Sequence, residues 1–197
     1  MSTRTETGRP AAEAAAPSRG LAWLYVIAGG IGLLASGALT LEKIARLRDP
    51  DYIPTCSFNP VLSCGSVMDS SQAAVLGFPN PLLGIGGFAV VVTTGVAMLA
   101  GFRPPRWYRA GMVAGSTVAV VFIHWLIASS LYDIGALCPY CMVVWAVTIP
   151  IFWYSALGAW PALAPLRRVH SAILALWYVV IIALVVQRFW SYWTSLV

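Results

Sequence analysis

Five runs of close to 20 residues carry no Asp, Glu, Lys or Arg: residues 21–41, 82–102, 110–132, about 138–157 and 171–187. A helix rises ~1.5 Å per residue, so a run of ~20 crosses the ~30 Å hydrocarbon core of a bilayer. The chain has 197 residues, 59% of them hydrophobic and 10% charged. A soluble domain is about one quarter charged, so a water-soluble fold is excluded. The expected fold class is an all-α integral membrane protein with five transmembrane helices, the last running to about residue 190.

The segments between the runs differ in kind. Residues 1–20 are rich in Ala, Pro, Ser and Thr and are expected to be disordered. A cleaved signal peptide is the competing reading of the first run. That run exceeds a ~7–15 residue apolar core, and no A-x-A-like site follows it. Residues 42–51 are charged, and the polar loop expected over residues 48–80 contains Cys56 and Cys64. Arg103, Pro104, Pro105, Arg106 and Arg109 make a tight basic turn. Pro150 predicts a kink in the fourth span, because proline lacks an N–H and crowds the preceding turn. Arg188, Trp190, Tyr192 and Trp193 are expected to anchor the last span among headgroups.

Twelve Lys and Arg give a net charge of +5, which could suggest nucleic acid, but they fall in short clusters at span ends and read as topology signals. Alternation across five spans puts eight on the N-terminal side (Arg4, Arg9, Arg19, Arg103, Arg106, Arg109, Arg167, Arg168) and four on the other (Lys43, Arg46, Arg48, Arg188). The N-terminus is therefore expected to be cytoplasmic. The same alternation places Cys56, Cys64, Cys138 and Cys141 together on the outer, oxidising face.

Two close cysteine pairs on one membrane face suit electron transfer by thiol–disulfide exchange. In Cys138-Pro139-Tyr140-Cys141, Pro139 suits the first helical position. Cys138 then occupies the cap, where free N–H groups and the helix dipole stabilise a thiolate. The plainer readings are two structural staples, or Cys141 as a buried apolar residue. An all-cysteine zinc site is a third, disfavoured by the seven residues separating Cys56 from Cys64 and by the lack of a nearby His. A thioredoxin-like domain is excluded, because the C-x-x-C lies in no soluble α/β pattern. His124, in mid-span, reads either as functional or, preferably, as a neutral histidine bonded between helices. Gly111 and Gly115 read as helix packing in preference to a dimer motif. Residues 65–78 read as a short amphipathic interfacial helix with Val67, Met68, Ser71 and Val75 on one face. Asn80, between Pro79 and Pro81, reads either as a turn residue or as a hydrogen-bond donor to a ligand carbonyl.

These motifs, taken in order, resemble the vitamin K epoxide reductase family. The segments that carry the resemblance are CSFNPVLSCGSVM at 56–68, FPNPLLG at 78–84 and CPYC at 138–141, within a region of about residues 21–157. The resemblance implies a four-helix bundle around a quinone, menaquinone or ubiquinone, with the fifth helix outside it. It implies Cys141 as the thiol nearest the quinone, Cys138 as its exchange partner, Cys64 exchanging with Cys138, and Cys56 facing outward toward a soluble thiol protein. It also places Asn80, Trp145, Ser70, Met68 and Val67 around the quinone. Trp145 stands where the family's vitamin K reductases have Tyr, which tilts the expectation from epoxide reduction toward disulfide formation. Because some bacterial members continue into a fused thioredoxin-like domain, the expected partner is a separate extracytoplasmic thioredoxin-fold (DsbA-like) protein, and the expected location a bacterial plasma membrane. Vitamin K epoxide or quinone reduction is the alternative activity. A structural or transport membrane protein with stapled loops is the alternative of another class. Neither metal nor nucleic acid is expected.

Overall fold

The computed structural model describes residues 19–194; of the disorder expected for residues 1–20, residues 1–18 lie outside the described residues, and Arg19 and Gly20 are instead helical, continuing the first span by a half-turn. Among the described residues, five helices are long and apolar enough to cross a membrane. They are α1 (Arg19–Arg48), α3 (Pro81–Leu99), α4 (Arg106–Ser129), α5 (Pro139–Ala159) and α6 (His170–Arg188). Two short helices, α2 (Cys64–Met68) and α7 (Trp190–Thr194), complete the α-helices among the described residues, and a 3-10 segment, Pro161–Arg168, links α5 to α6. The fold is an all-α membrane protein.

Helix α1 packs on α3 and α5, and α5 packs on α4. The α1–α3 seam is close because small residues meet large ones across it. Gly95 faces the Ala22 carbonyl and Tyr25, and a Cβ there would lie 2.9 Å from that oxygen. Gly84 abuts Ser36, and the Phe88 ring fills the space over Gly32. With no hydrophobic driving force between helices in lipid, such close approach is what holds them. Tyr25 closes the α1–α5 side through a 2.6 Å hydrogen bond to Ser155.

Three boundaries depart from expectation for local reasons. Helix α1 begins at Arg19 and runs to Arg48, about two turns past the end expected for the first span at Leu41, because nothing between Leu41 and Pro50 breaks it. The expected interfacial helix over residues 65–78 is split into α2 and a 3-10 turn at Ser71–Ala74. Ser70 turns extended between them, and its hydroxyl donates to the Val67 carbonyl at 2.7 Å. Helix α4 continues as a π-helical turn, Ser130–Ile134, stopped by Gly135 in the left-handed region at φ 70°.

Helix α6 lies at the edge of the bundle, with Leu176, Val179, Val180 and Ile182 exposed. Its attachment runs through polar groups. His124 Nδ1 donates to the Val120 carbonyl at 2.7 Å, while Nε2 accepts from the Trp177 indole at 2.9 Å. Since an indole only donates, this is the neutral tautomer bonded between helices. Arg188 turns inward, donating to the Leu131 carbonyl at 2.7 Å. It is therefore no headgroup anchor, because the irregular end of α4 leaves a carbonyl to be satisfied. Tyr192 and Trp193 likewise pack against the core, whereas Trp190 is exposed.

Helix α5 runs unbroken through Pro150. Proline removes the N–H that would bond the Ala146 carbonyl, and the Tyr178 hydroxyl of α6 donates to that carbonyl at 2.5 Å. Tyr178→Phe is expected to destabilise the protein by roughly 0.5–1.5 kcal/mol. In a Pro150→Ala background, where an N–H at position 150 takes the same carbonyl, that cost should fall close to zero. Detergent unfolding of the four variants measures the coupling, and an unchanged cost in the second background would show that the tyrosine acts otherwise.

Candidate active site

The four cysteines meet at one end of the bundle. Cys56 and Cys64 form a disulfide, and Cys138 and Cys141 are free thiols. Asn59 begins the geometry by accepting from the backbone N–H groups of Val61 and Leu62, at 3.0 and 2.7 Å, which bends the loop. The next residues pair with the segment before α5. The Leu137 N–H donates to the Val61 carbonyl at 2.7 Å, and the Ser63 N–H to the Leu137 carbonyl at 2.9 Å. This one-residue bridge puts Cys64, at the start of α2, beside Cys138, at the start of α5. Their sulfurs are 3.2 Å apart.

Both cysteines sit at helix starts. Ser63 caps α2 through its hydroxyl, and Cys138 caps α5, its sulfur accepting from the Cys141 N–H at 3.4 Å, with Pro139 in the first turn. The Cys138 thiol is held below the ordinary thiol range, chiefly by a hydrogen bond from the Cys141 side chain and also by backbone N–H groups, against the opposing effect of burial. Cys138 is 1% exposed and Cys64 is fully buried.

Cys56 is 4% exposed, packed with Leu39, Met68 and Cys138. It therefore does not face outward in this state, as the family resemblance implies it should. Closing the loop over the sulfurs buries it with its disulfide partner.

The clamp on that loop comes from the extended end of α1, which sequence reading assigned to topology alone. Arg46 pairs with Asp69 in two contacts, at 2.9 and 2.5 Å, and donates to the Tyr52 carbonyl. The guanidinium holds the Asp69 carboxyl below its ordinary range. Lys43 donates to the Met68 carbonyl at 2.8 Å, and Glu42 accepts from Tyr52 and Thr55. The signal was available, since Glu42, Lys43 and Arg46 continue the helical spacing of α1 with no breaker before Pro50.

Below the sulfurs lie two cavities that share Asn80, Leu126, Cys141 and Trp145 in their walls. The smaller, about 60 Å³, is bordered by Val67, Met68 and Ser70. The larger, about 400 Å³, lies among α1, α3, α4 and α5, with Phe88, Val91, Phe122 and Ile123 in its wall. Gly111 and Gly115 also line it, and a Cβ at either would meet open space. They shape this cavity and seat no neighbouring helix, because nothing lies within 4 Å of where their side chains would begin. Cofactor sites run to about 300–1,000 Å³ and are mostly apolar with a few polar groups. The larger cavity has the volume and the mostly apolar lining of such a site.

The residues expected around such a ring are differently disposed. Asn80 is committed to its turn: Nδ2 donates to the Gln72 carbonyl at 2.7 Å and Oδ1 accepts from the Val75 N–H at 3.1 Å, leaving one amide hydrogen for a ligand. The Trp145 side chain, 4% exposed, makes no hydrogen bond among the described residues, so its indole N–H is available. Ser70 spends its proton on Val67, and Val67 and Met68 border the small cavity only.

A family model described as the vitamin K epoxide reductase family matches residues 23–156. No curated protein matches the chain.

With the loop disulfide intact, Cys138 is the only thiol left in Cys141→Ser or Cys141→Ala. A serine hydroxyl can still donate to the Cys138 sulfur, and an alanine cannot. Thiolate absorbance followed against pH should give a lower midpoint in Cys141→Ser than in Cys141→Ala, and the thiolate should be lost as pH falls through that midpoint. Equal midpoints would remove the side-chain hydrogen bond as the cause. Arg46→Gln should speed hydrogen exchange across residues 52–69 without altering that of α4, since only the loop loses its clamp.

Proposed function

The chain belongs to the vitamin K epoxide reductase family, whose members are membrane oxidoreductases that use quinones, and from that premise we propose that it carries electrons from a secreted thioredoxin-fold protein to a membrane quinone, forming disulfides in the partner. The observation that carries this reading is the 3.2 Å approach of the Cys64 and Cys138 sulfurs, with Cys141 on the wall of the larger cavity.

The exchange has a definite order. When the loop pair is reduced and the helix pair oxidised, the Cys64 thiolate attacks the Cys138 sulfur. A Cys64–Cys138 bond forms, the Cys138–Cys141 bond breaks, and Cys141 leaves with the electron pair. The Cys56 thiolate then attacks Cys64, making the Cys56–Cys64 disulfide and releasing Cys138. Two electrons have moved from the loop to the helix end, which is the redox state described here. A bound quinone supplies a sink for two electrons and two protons. Cys138 and Cys141 lose two protons and two electrons toward the cavity as they form their disulfide. At the other end, a partner dithiolate attacks the loop disulfide, becomes a disulfide itself and regenerates two loop thiols.

Each side chain has a stated part in this scheme. Cys138, with its lowered pKa, is a good leaving group when Cys56 attacks the mixed disulfide. Asn80 and Trp145 offer N–H groups to an oxygen on which charge develops. The apolar wall excludes water from the thiol end. The covered Cys56 requires the clamp of Arg46 and Lys43 to yield when the partner docks, so the loop opens in each cycle. The lipid-facing gap between α3 and α4 lets a membrane-dissolved acceptor enter without crossing water.

Purified protein is expected to reduce a soluble quinone analogue with a reduced thioredoxin-fold protein as electron donor. Cys141→Ala should abolish turnover with either that donor or a small dithiol. Cys56→Ala should lose the protein donor and keep some turnover with the dithiol. Wild type that fails to reduce quinone, with both variants merely less stable, would make the cysteines staples and overturn the reading.

A further inference from the structure

The end of the bundle away from the cysteines holds a third cavity, about 780 Å³, that the redox chemistry does not use. Arg103, Arg106, Arg109, Arg167 and His170 line it, as do Leu24, Met98 and Met112, and the hydroxyls in its wall are paired with one another, Tyr25 with Ser155 and Thr94 with Tyr108. No carboxylate lines it among the described residues. The described acidic residues, Glu42, Asp49, Asp51, Asp69 and Asp133, all sit at the cysteine end or in its connecting segments.

The backbone adds to the positive field. Helices α1, α4 and α6 all begin at this end, none with an acidic residue in its first turn, and α4 has no side-chain cap. The N-terminal end of a helix carries about half a positive charge, so the arginines lie where cations are least favoured. The side chains are only partly engaged. Arg167 donates to the Leu157 carbonyl at 2.7 Å, and Tyr154 and His170 share a 2.9 Å hydrogen bond. The Nε atom of Arg109 is buried with no hydrogen-bond partner.

We propose that this cavity binds an anionic phospholipid, its phosphate among Arg103, Arg106 and Arg109 and its acyl chains along Leu24, Met98 and Met112. Charge and shape each select part of the ligand. A phosphate offers acceptor oxygens to the unpartnered Arg109 and to the uncapped start of α4. Away from the arginines the wall offers a free phosphate ion little, since its hydroxyls are already paired with one another, whereas Leu24, Met98 and Met112 suit the chains of a lipid whose headgroup sits at the membrane surface. Basic pockets between transmembrane helices are a recurring place for anionic headgroups.

The test uses the full chain in a neutral detergent. Thermal unfolding is followed with added phosphatidylglycerol, with phosphatidylcholine of the same acyl chains, and with inorganic phosphate. Phosphatidylglycerol alone should raise the midpoint. In Arg106→Gln/Arg109→Gln its apparent affinity should fall roughly thirtyfold, the loss of two cationic contacts at about 1 kcal/mol each, while Arg48→Gln at the opposite end should leave it unchanged. Equal stabilisation by phosphatidylcholine, a full shift from phosphate alone, or unaltered affinity in the double variant would each overturn the proposal. Should the double variant not fold, native mass spectrometry of wild type released from an equal mixture of the two lipids decides. Preferential retention of phosphatidylglycerol supports the site, and equal retention of both overturns it.

Discussion

Everything at the reactive end depends on two backbone hydrogen bonds, from Leu137 N–H to Val61 and from Ser63 N–H to Leu137. They tie a loop that follows α1 to the segment that precedes α5, across more than seventy residues of chain. Without them the cysteine pairs are two separate local features. With them, the Cys64 and Cys138 sulfurs stand within reach of exchange. The bridge is short, one residue on each side, and the ion pair of Arg46 with Asp69 adds a contact that is open to water, which can compete for it.

The membrane explains much of the rest. In lipid, a backbone carbonyl that loses its helical partner has no water to turn to. Three irregularities create or expose such groups: Pro150 in α5, the π-helical turn after α4 and the end of α5 at Trp160. The first two are answered by α6, through Tyr178 and Arg188, and the third end is met by Arg167, which bonds the Leu157 carbonyl. The fifth helix therefore does more than occupy lipid beside the bundle. It satisfies the polar groups that let α4 and α5 depart from ideal geometry near the thiols.

The same reasoning connects the cavities to the fold. Close contacts between small and large residues draw α1 and α3 together, and α1 and α5 share the Tyr25–Ser155 hydrogen bond. Helix α3 is joined to α4 by the 2.7 Å hydrogen bond of Thr94 with Tyr108 at the end away from the cysteines, and nearer the cysteines space remains between them, lined by apolar side chains and closed at the cysteine end by Trp145 and Asn80. Gly111 and Gly115 illustrate the difference between motif and setting. Small residues four apart permit helix contact, but where no helix comes close they widen a cavity instead.

Sequence alone determined the number of helices, their membrane character and the pairing of cysteines into two groups at one end, because length and polarity against a ~30 Å apolar layer leave few alternatives. It also determined the cap at Cys138, since Pro139 and the cysteine spacing act over a single turn. Family resemblance extended this to a quinone and a thiol partner. Tertiary structure decided what depends on neighbours distant in the chain. That α1 carries a clamp for the loop, that Cys56 is covered, that Asn80 is bound to Gln72 and Val75, and that Arg188 points inward all follow from contacts that no local window contains. Hydrophobicity and turn chemistry act along the chain and can be read there. A hydrogen-bond partner or a cavity wall is settled only when separate segments compete for the same space.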